Sequence, residues 1–146
     1  MDYQALKTEI ETGPLSAEIA PYLANGNLDG VLGVLNDLRF SRVADTYVNA
    51  RRLMSLLGAA EAVVILDKLD AAKASDARLK WAMNFMVNGG VNLGDPETRL
   101  ALEDLALSGV LTNEERDTLK ALAEVPASRA ELLFGRRLTL PDLWRL

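Results

Sequence analysis

Hydrophobic and polar positions recur with helical spacing along most of this chain. The clearest stretch is Ala77 to Asn88. At about 100° per residue it places Leu79, Ala82, Met83, Met86 and Val87 on one stripe. Trp81 and Phe85 widen that stripe, and Lys80, Asn84 and Asn88 leave only a narrow polar edge. A helix that apolar calls for neighbours on several sides, so the pattern predicts an enclosed central helix. Ser75 is its expected cap and Gly89-Gly90 its expected stop.

The remaining elements follow in order. Residues 2–12 read as a helix with Tyr3, Leu6 and Ile10 on one side, stopped by Gly13-Pro14. Ser16 caps a second short helix holding Ile19 and Leu23, with a kink expected at Pro21. Asn25-Gly26-Asn27 is a turn. The Asn-Gly pair also suits a hairpin, but its flanks do not alternate. Leu28 to Leu38 reads as helix through Val31, Leu32, Val34 and Leu35, although Gly30 and Gly33 each cost about 1 kcal/mol relative to Ala. These glycines are read as tolerated, with close approach of another backbone as the alternative.

Arg39 to Ala44 is a connector. Asp45 or Thr46 is expected to open a helix whose face holds Tyr47, Ala50, Met54 and Leu57, ending at Gly58. Ala59 to Ala74 turns Ala62, Ile65, Leu66 and Leu69 inward and Asp67, Lys68, Asp70 and Lys73 outward. Val91 to Gly94 is a loop after the central helix. Asp95-Pro96-Glu97 then offers a capping carboxylate, a proline at the first helical position and an acid near the positive helix end. That helix runs to about Ser108 and stops at Gly109. Thr112 with Glu115 forms a capping box for a helix carrying Leu119, Leu122 and Ala123, closed by Pro126. Ser128 with Glu131 repeats that spacing before Leu132, Leu133 and Phe134, and Gly135 is the stop. Thr139-Leu140-Pro141-Asp142 opens a last turn with Leu143, Trp144 and Leu146. The expected fold class is all-α: a compact single-domain helical bundle of about seven to nine helices across residues 1–146. No internal repeat or long linker divides it.

Composition narrows the function classes. The chain has no Cys and no His, so thiol nucleophiles, disulfides, imidazole bases and the commonest transition-metal ligands are missing. Its net charge is −5, with both halves mildly acidic. That argues against sequence-independent nucleic-acid binding and against an anionic membrane surface. No apolar run approaches the roughly 18–20 residues of a membrane span, and no signal-peptide core is expected in Met1 to Thr12.

Candidate sites are few. Glu114, Glu115 and Asp117 share one turn, where helix capping explains them better than metal binding, since sequence neighbours on a helix splay apart. Glu103-Asp104 reads as a solvated face. Gly30-Val31-Leu32-Gly33 and Gly89-Gly90 lack the spacing of a phosphate loop. Gly94-Asp95-Pro96 lacks the oxygen-rich pattern of a calcium loop. No catalytic, cofactor-binding or metal-ligating residue is assigned, and no cofactor is expected. Two arginine pairs, Arg51-Arg52 in mid-helix and Arg136-Arg137 after a helix stop, could grip carboxylates or phosphates. Solvent exposure and helix-end electrostatics are the plainer reading. The terminal segment, with Leu143, Trp144 and Leu146, is the best protein-interaction candidate, because Trp and Arg anchor interfaces. Its alternative is that Trp144 folds back onto the domain's own core.

The run Ser128-Arg129-Ala130-Glu131-Leu132-Leu133-Phe134-Gly135, followed by Thr139 and Asp142, resembles the C-terminal signature of small helical proteins encoded by tailed bacteriophages. Gly90-Val91-Asn92-Leu93 with Asp95 and Arg99, Leu35-Asn36 with Arg39, and the opening Tyr3 to Ile10 are similar to further segments of that family. Trp144 and Arg145 depart from it, standing where members often carry small or aliphatic residues. The resemblance carries no catalytic residue. It implies a non-enzymatic phage protein acting through protein–protein contacts: a virion accessory of the neck, tail or fibre attachment, or an assembly factor. Its partners would be other phage structural proteins or itself, without nucleic acid or membrane. It would reside in the virion, or in the host cytoplasm during assembly. The alternative is a host-directed or anti-defence protein presenting an acidic surface to a basic site. An enzyme working with carboxylates, or with Ser and Lys, ranks third.

Overall fold

A computed structural model describes residues 1–146. It is mainly helical, with ten helices and four short strands. The first elements are α1 (Tyr3–Thr12), α2 (Ser16–Ala24), α3 (Leu28–Asn36), β1 (Phe40–Val43) and β2 (Tyr47–Val48). Next come α4 (Ala50–Leu57), α5 (Ala59–Ala72), α6 (Ala77–Asn88), β3 (Val91–Asn92) and α7 (Pro96–Leu107). The chain ends with α8 (Asn113–Ala121), β4 (Glu124–Ala127), α9 (Arg129–Phe134) and α10 (Leu140–Leu143). Two compact units result: unit 1 is Met1–Arg42 with Val125–Leu146, and unit 2 is the intervening Val43–Glu124.

In unit 1, Asp2 accepts the Ala5 amide at 3.0 Å to start α1, and Asn27 accepts the Gly30 amide at 2.9 Å to start α3. Leu6, Ile10, Ile19, Val31 and Leu35 meet Ala130, Leu138 and Leu143 in one buried cluster. Each large side chain so buried contributes about 1.5–3 kcal/mol. Three polar locks hold the unit, the first two between elements far apart in sequence. Glu9, itself buried, accepts two hydrogen bonds from the Arg129 guanidinium at 2.7 and 2.9 Å. The Asn36 amide both donates to and accepts from the Leu138 backbone, at 2.9 Å each way. Arg136 grips Asp142 with two bonds of 2.9 and 2.7 Å. Gly30 lies where an added Cβ would fall 2.1 Å from the Tyr22 ring, so an aromatic side chain, rather than another backbone, uses that glycine.

In unit 2, Val48, Leu53, Ile65, Leu69, Leu79, Met86, Leu102 and Leu119 share a second buried cluster. α5 turns Ala62, Ile65, Leu66 and Leu69 into it, as its spacing predicts. The capping carboxylate of Asp95, with proline behind it, starts α7, and the Thr112–Glu115 box starts α8. Lys68 on α5 reaches Glu115 on α8 at 2.5 Å.

Several expectations are corrected. The fold is mainly helical rather than all-α, with ten helices instead of seven to nine and two small two-stranded sheets. β1 occupies the expected connector and pairs with β4, which itself replaces the end of a helix expected to run to Pro126. β2 takes Tyr47 and Val48 out of the expected helix, which instead begins at Ala50 under an Asn49 cap. β3 replaces a loop. Strands of two to four residues are too short for alternation to show, and each depends on a partner distant in sequence. The cap of α6 is Asp76, not Ser75.

The largest correction concerns α6 itself. Its bounds are those the pattern predicts, but only Leu79 and Met86 are buried. Trp81 is 62% exposed, Phe85 58% and Val87 76%, while Met83 packs against the cluster from its edge. α6 is a one-sided helix, supported by α5 and β3 beneath and open above.

Candidate functional site

The open side of α6 continues into a shallow groove. Backbone turns place its walls. Asn92 on β3 accepts the backbone amides of Thr46 and Gly94, each at 2.9 Å, and donates to the Asp45 carboxylate at 2.8 Å. One side chain therefore ties the approach to β2 onto β3. Gly94 is required there, because a Cβ would lie 2.1 Å from the Ala44 carbonyl oxygen. β2 and β3 then pair antiparallel with Tyr47 opposite Asn92. That register holds Tyr47 over the surface, 58% exposed, while Val48 goes fully inside.

Tyr47, Trp81 and Phe85 line this groove together with Arg78, Asn92, Asp95 and Thr98, enclosing a volume of 520 Å³. Its polar rim is already organised. Asp95 accepts the Thr98 amide at 2.9 Å. Asp76 accepts the Arg78 amide at 2.9 Å, and the Arg78 side chain bridges Asp76 and Asp104 at 3.3 Å each. The Arg78 guanidinium, with help from that backbone bond, holds the Asp76 carboxyl below the ordinary aspartate range. Asp76 and Asp95 serve as helix caps. Three or more carboxylates are not gathered into a set that could hold a metal ion. What the groove offers is aromatic area with a fixed polar edge, the make-up of a protein-contact surface.

The residues singled out by sequence are dispersed. Arg51 and Arg52 stand exposed in the first turn of α4 in unit 2, not in mid-helix. Arg136, Arg137, Leu143, Trp144 and Leu146 belong to unit 1. Arg136 is committed to Asp142, holding that carboxyl well below the usual carboxylate range together with the Thr139 amide and hydroxyl. Arg137 is exposed beside Glu131, at 3.8 Å. Leu143 is buried in the unit 1 core, with an edge on a small hollow. Trp144, by contrast, is 69% exposed rather than folded back. Leu146 lies beside a second, smaller hollow of 200 Å³ lined mostly by Ile10, Leu23, Leu28 and Val31. Arg145 crosses the Tyr3 ring 5.8 Å from its centre and donates to its hydroxyl at 3.0 Å, tying down the tail between them.

Sequence reasoning missed Tyr47, Trp81 and Phe85 as surface residues. The signal was present on the helical wheel: Trp81 falls about 20° from Asn88, and Phe85 about 60° from it, on the polar side. Leu79 and Met86 lie opposite. No helix is long and apolar enough to cross a membrane. The chain matches no family model, no curated protein and no solved structure.

Proposed function

We propose that this chain is a non-enzymatic protein that works by docking onto other proteins, as a virion accessory or assembly factor of a tailed bacteriophage. The observation that carries the docking reading is the convergence of three exposed aromatics, Tyr47, Trp81 and Phe85, on one groove. Large exposed aromatics grouped together are uncommon on a surface that stays wet, and they are the residue types that dominate binding energy at interfaces. The exposed Trp144 supplies a second anchor on unit 1. The phage setting comes from the resemblance of the segments around Ser128–Gly135 and Gly90–Arg99.

The host-directed reading ranks second. Its support is the acidic α7–α8 region, but much of that acid is neutralised on the spot. Glu103 binds Arg116 and Lys120, and Glu115 binds Lys68.

A mass-spectrometric inventory of purified particles of the encoding phage separates the two. The virion reading expects the chain in fixed copy number, and expects Trp81→Ala to remove it from particles while the protein itself still folds. Absence from particles, with early co-purification on a host protein, would overturn it in favour of the host-directed role.

A further inference from the structure

We infer that the open face of α6 is covered by the same face of a second copy of this chain, the two helices lying antiparallel about a two-fold axis near Met83 and Asn84. The inference rests on the protein-contact reading and names the occupant of that surface.

Charge along α6 is the first argument. A helix carries partial positive charge at its N-terminus and negative charge at its C-terminus, so cations suit the last turn and acids the first. Beyond its Asp76 cap, α6 makes no use of this: it has no acid in its first turn, no base in its last, and Arg78 and Lys80 near its start. Arg78 is shared between Asp76 and Asp104, but Lys80 is exposed and joins no ion pair of its own chain. An antiparallel second copy brings Lys80 of each helix toward the electronegative last turn of the other. The same pairing sets Trp81 of one copy against Phe85 of the second, twice over by symmetry, in reach of offset or edge-on stacking. Asn84 and Asn88 lie on the same exposed arc, where their amides can bond across the axis.

Area is the second argument. Tyr47, Trp81 and Phe85 together expose roughly 400 Å², against about 800 Å² per partner in a standard interface. The stems and heads of Arg78, Lys80, Asn84 and Asn88 surround them and supply much of the remainder. Twelve residues of helix give a contact line about 18 Å long, enough for that footprint.

Sedimentation equilibrium of the full chain, from about 1 to 200 µM, tests this. The expected result is a monomer–dimer equilibrium with a micromolar Kd. Trp81→Ala should weaken it about 30-fold with unchanged helix content by circular dichroism. Lys80→Glu should weaken it severalfold, an effect that fades as salt rises. The chain has no cysteine of its own. Asn84→Cys should therefore give a disulfide-linked dimer on mild oxidation, and Arg51→Cys should not. A monomer at every concentration overturns the inference, as does a dimer indifferent to Trp81→Ala or cross-linking equally at both cysteines. A monomeric chain that still needs Trp81 to enter particles overturns self-pairing alone and leaves the docking reading standing. A monomeric chain that enters particles equally well without Trp81 overturns both.

Discussion

Helices α5 and α6 are sequential neighbours packed against each other in unit 2, yet they divide their apolar residues differently. α5 gives all four residues of its stripe to the interior, turns Asp67 and Asp70 to water, and leaves the smaller Val63 and Val64 exposed. α6 gives only Leu79 and Met86, and holds Trp81, Phe85 and Val87 outside. The difference lies in what surrounds each helix. α5 is enclosed by α4, α6 and the far side of the core, with Lys68 pinned to Glu115 on α8. α6 has α5 and β3 beneath it, touches α7 through the Arg78–Asp104 pair, and leaves the side of Trp81 and Phe85 uncovered. Burial of apolar area is the main drive to fold, but the same area left exposed is the main drive to associate. The two helices show both uses within thirty residues of chain, roughly a fifth of the protein.

Core truncation should separate the helices most sharply. Ile65→Ala, at a fully buried site of α5, is expected to cost about 2–5 kcal/mol in urea unfolding. Trp81→Ala and Phe85→Ala remove far more atoms from α6, yet should shift stability of the monomer by no more than about 0.5 kcal/mol. If the α6 substitutions cost as much as Ile65→Ala, the contrast is wrong. The next largest effect belongs to the support of the groove. Asn92→Ala strands the amides of Thr46 and Gly94 and should cost about 1–3 kcal/mol, with Tyr47 loosened and any association weakened in parallel. Thr112→Ala, which removes the side-chain cap of α8, should cost about 1 kcal/mol and leave association untouched.

Acid gives the mildest test. Lys68 first, then the Thr112 amide, lower the Glu115 carboxyl; Arg136 first, with Thr139, lowers Asp142. A carboxyl whose value is depressed in the folded state stabilises the fold above its unfolded value, near pH 4. That contribution is lost as pH falls through the folded value. Thermal midpoints should therefore hold from neutrality to about pH 5 and decline below pH 4, and Asp142→Asn should flatten part of that decline. A midpoint that rises on acidification would contradict the assignment of these pairs.

Helix positions were legible where caps and stops are local. Asp95-Pro96, Thr112 with Glu115, Ser128 with Glu131, and the left-handed Gly135 all act within a few residues, and all are found in place. The short strands were not legible, because Tyr47 pairs with a residue forty-five positions away and no local pattern announces it. The residues behind the family resemblance proved to be structural locks. Arg129 holds Glu9, Asn36 holds Leu138, Asn92 ties β2 to β3, and Arg99 donates to the Lys120 carbonyl at 3.1 Å. They explain the fold, and of the four only Asn92 also lines the groove. The groove was hidden by an inference that runs one way only: buried residues are mostly apolar, but apolar residues need not be buried. The position of Trp81 beside Asn88 on the wheel carried more information than its hydrophobicity.

The most direct measurement follows Trp81 itself, in a Trp144→Phe variant where it is the sole tryptophan. In dilute solution its fluorescence should be red-shifted and readily quenched by acrylamide. As concentration rises, emission should move to the blue and quenching should fall. Blue, protected emission at every dilution would place Trp81 inside its own fold and contradict the account. So would red, quenchable emission that no concentration of the chain, and no assembled particle, can change.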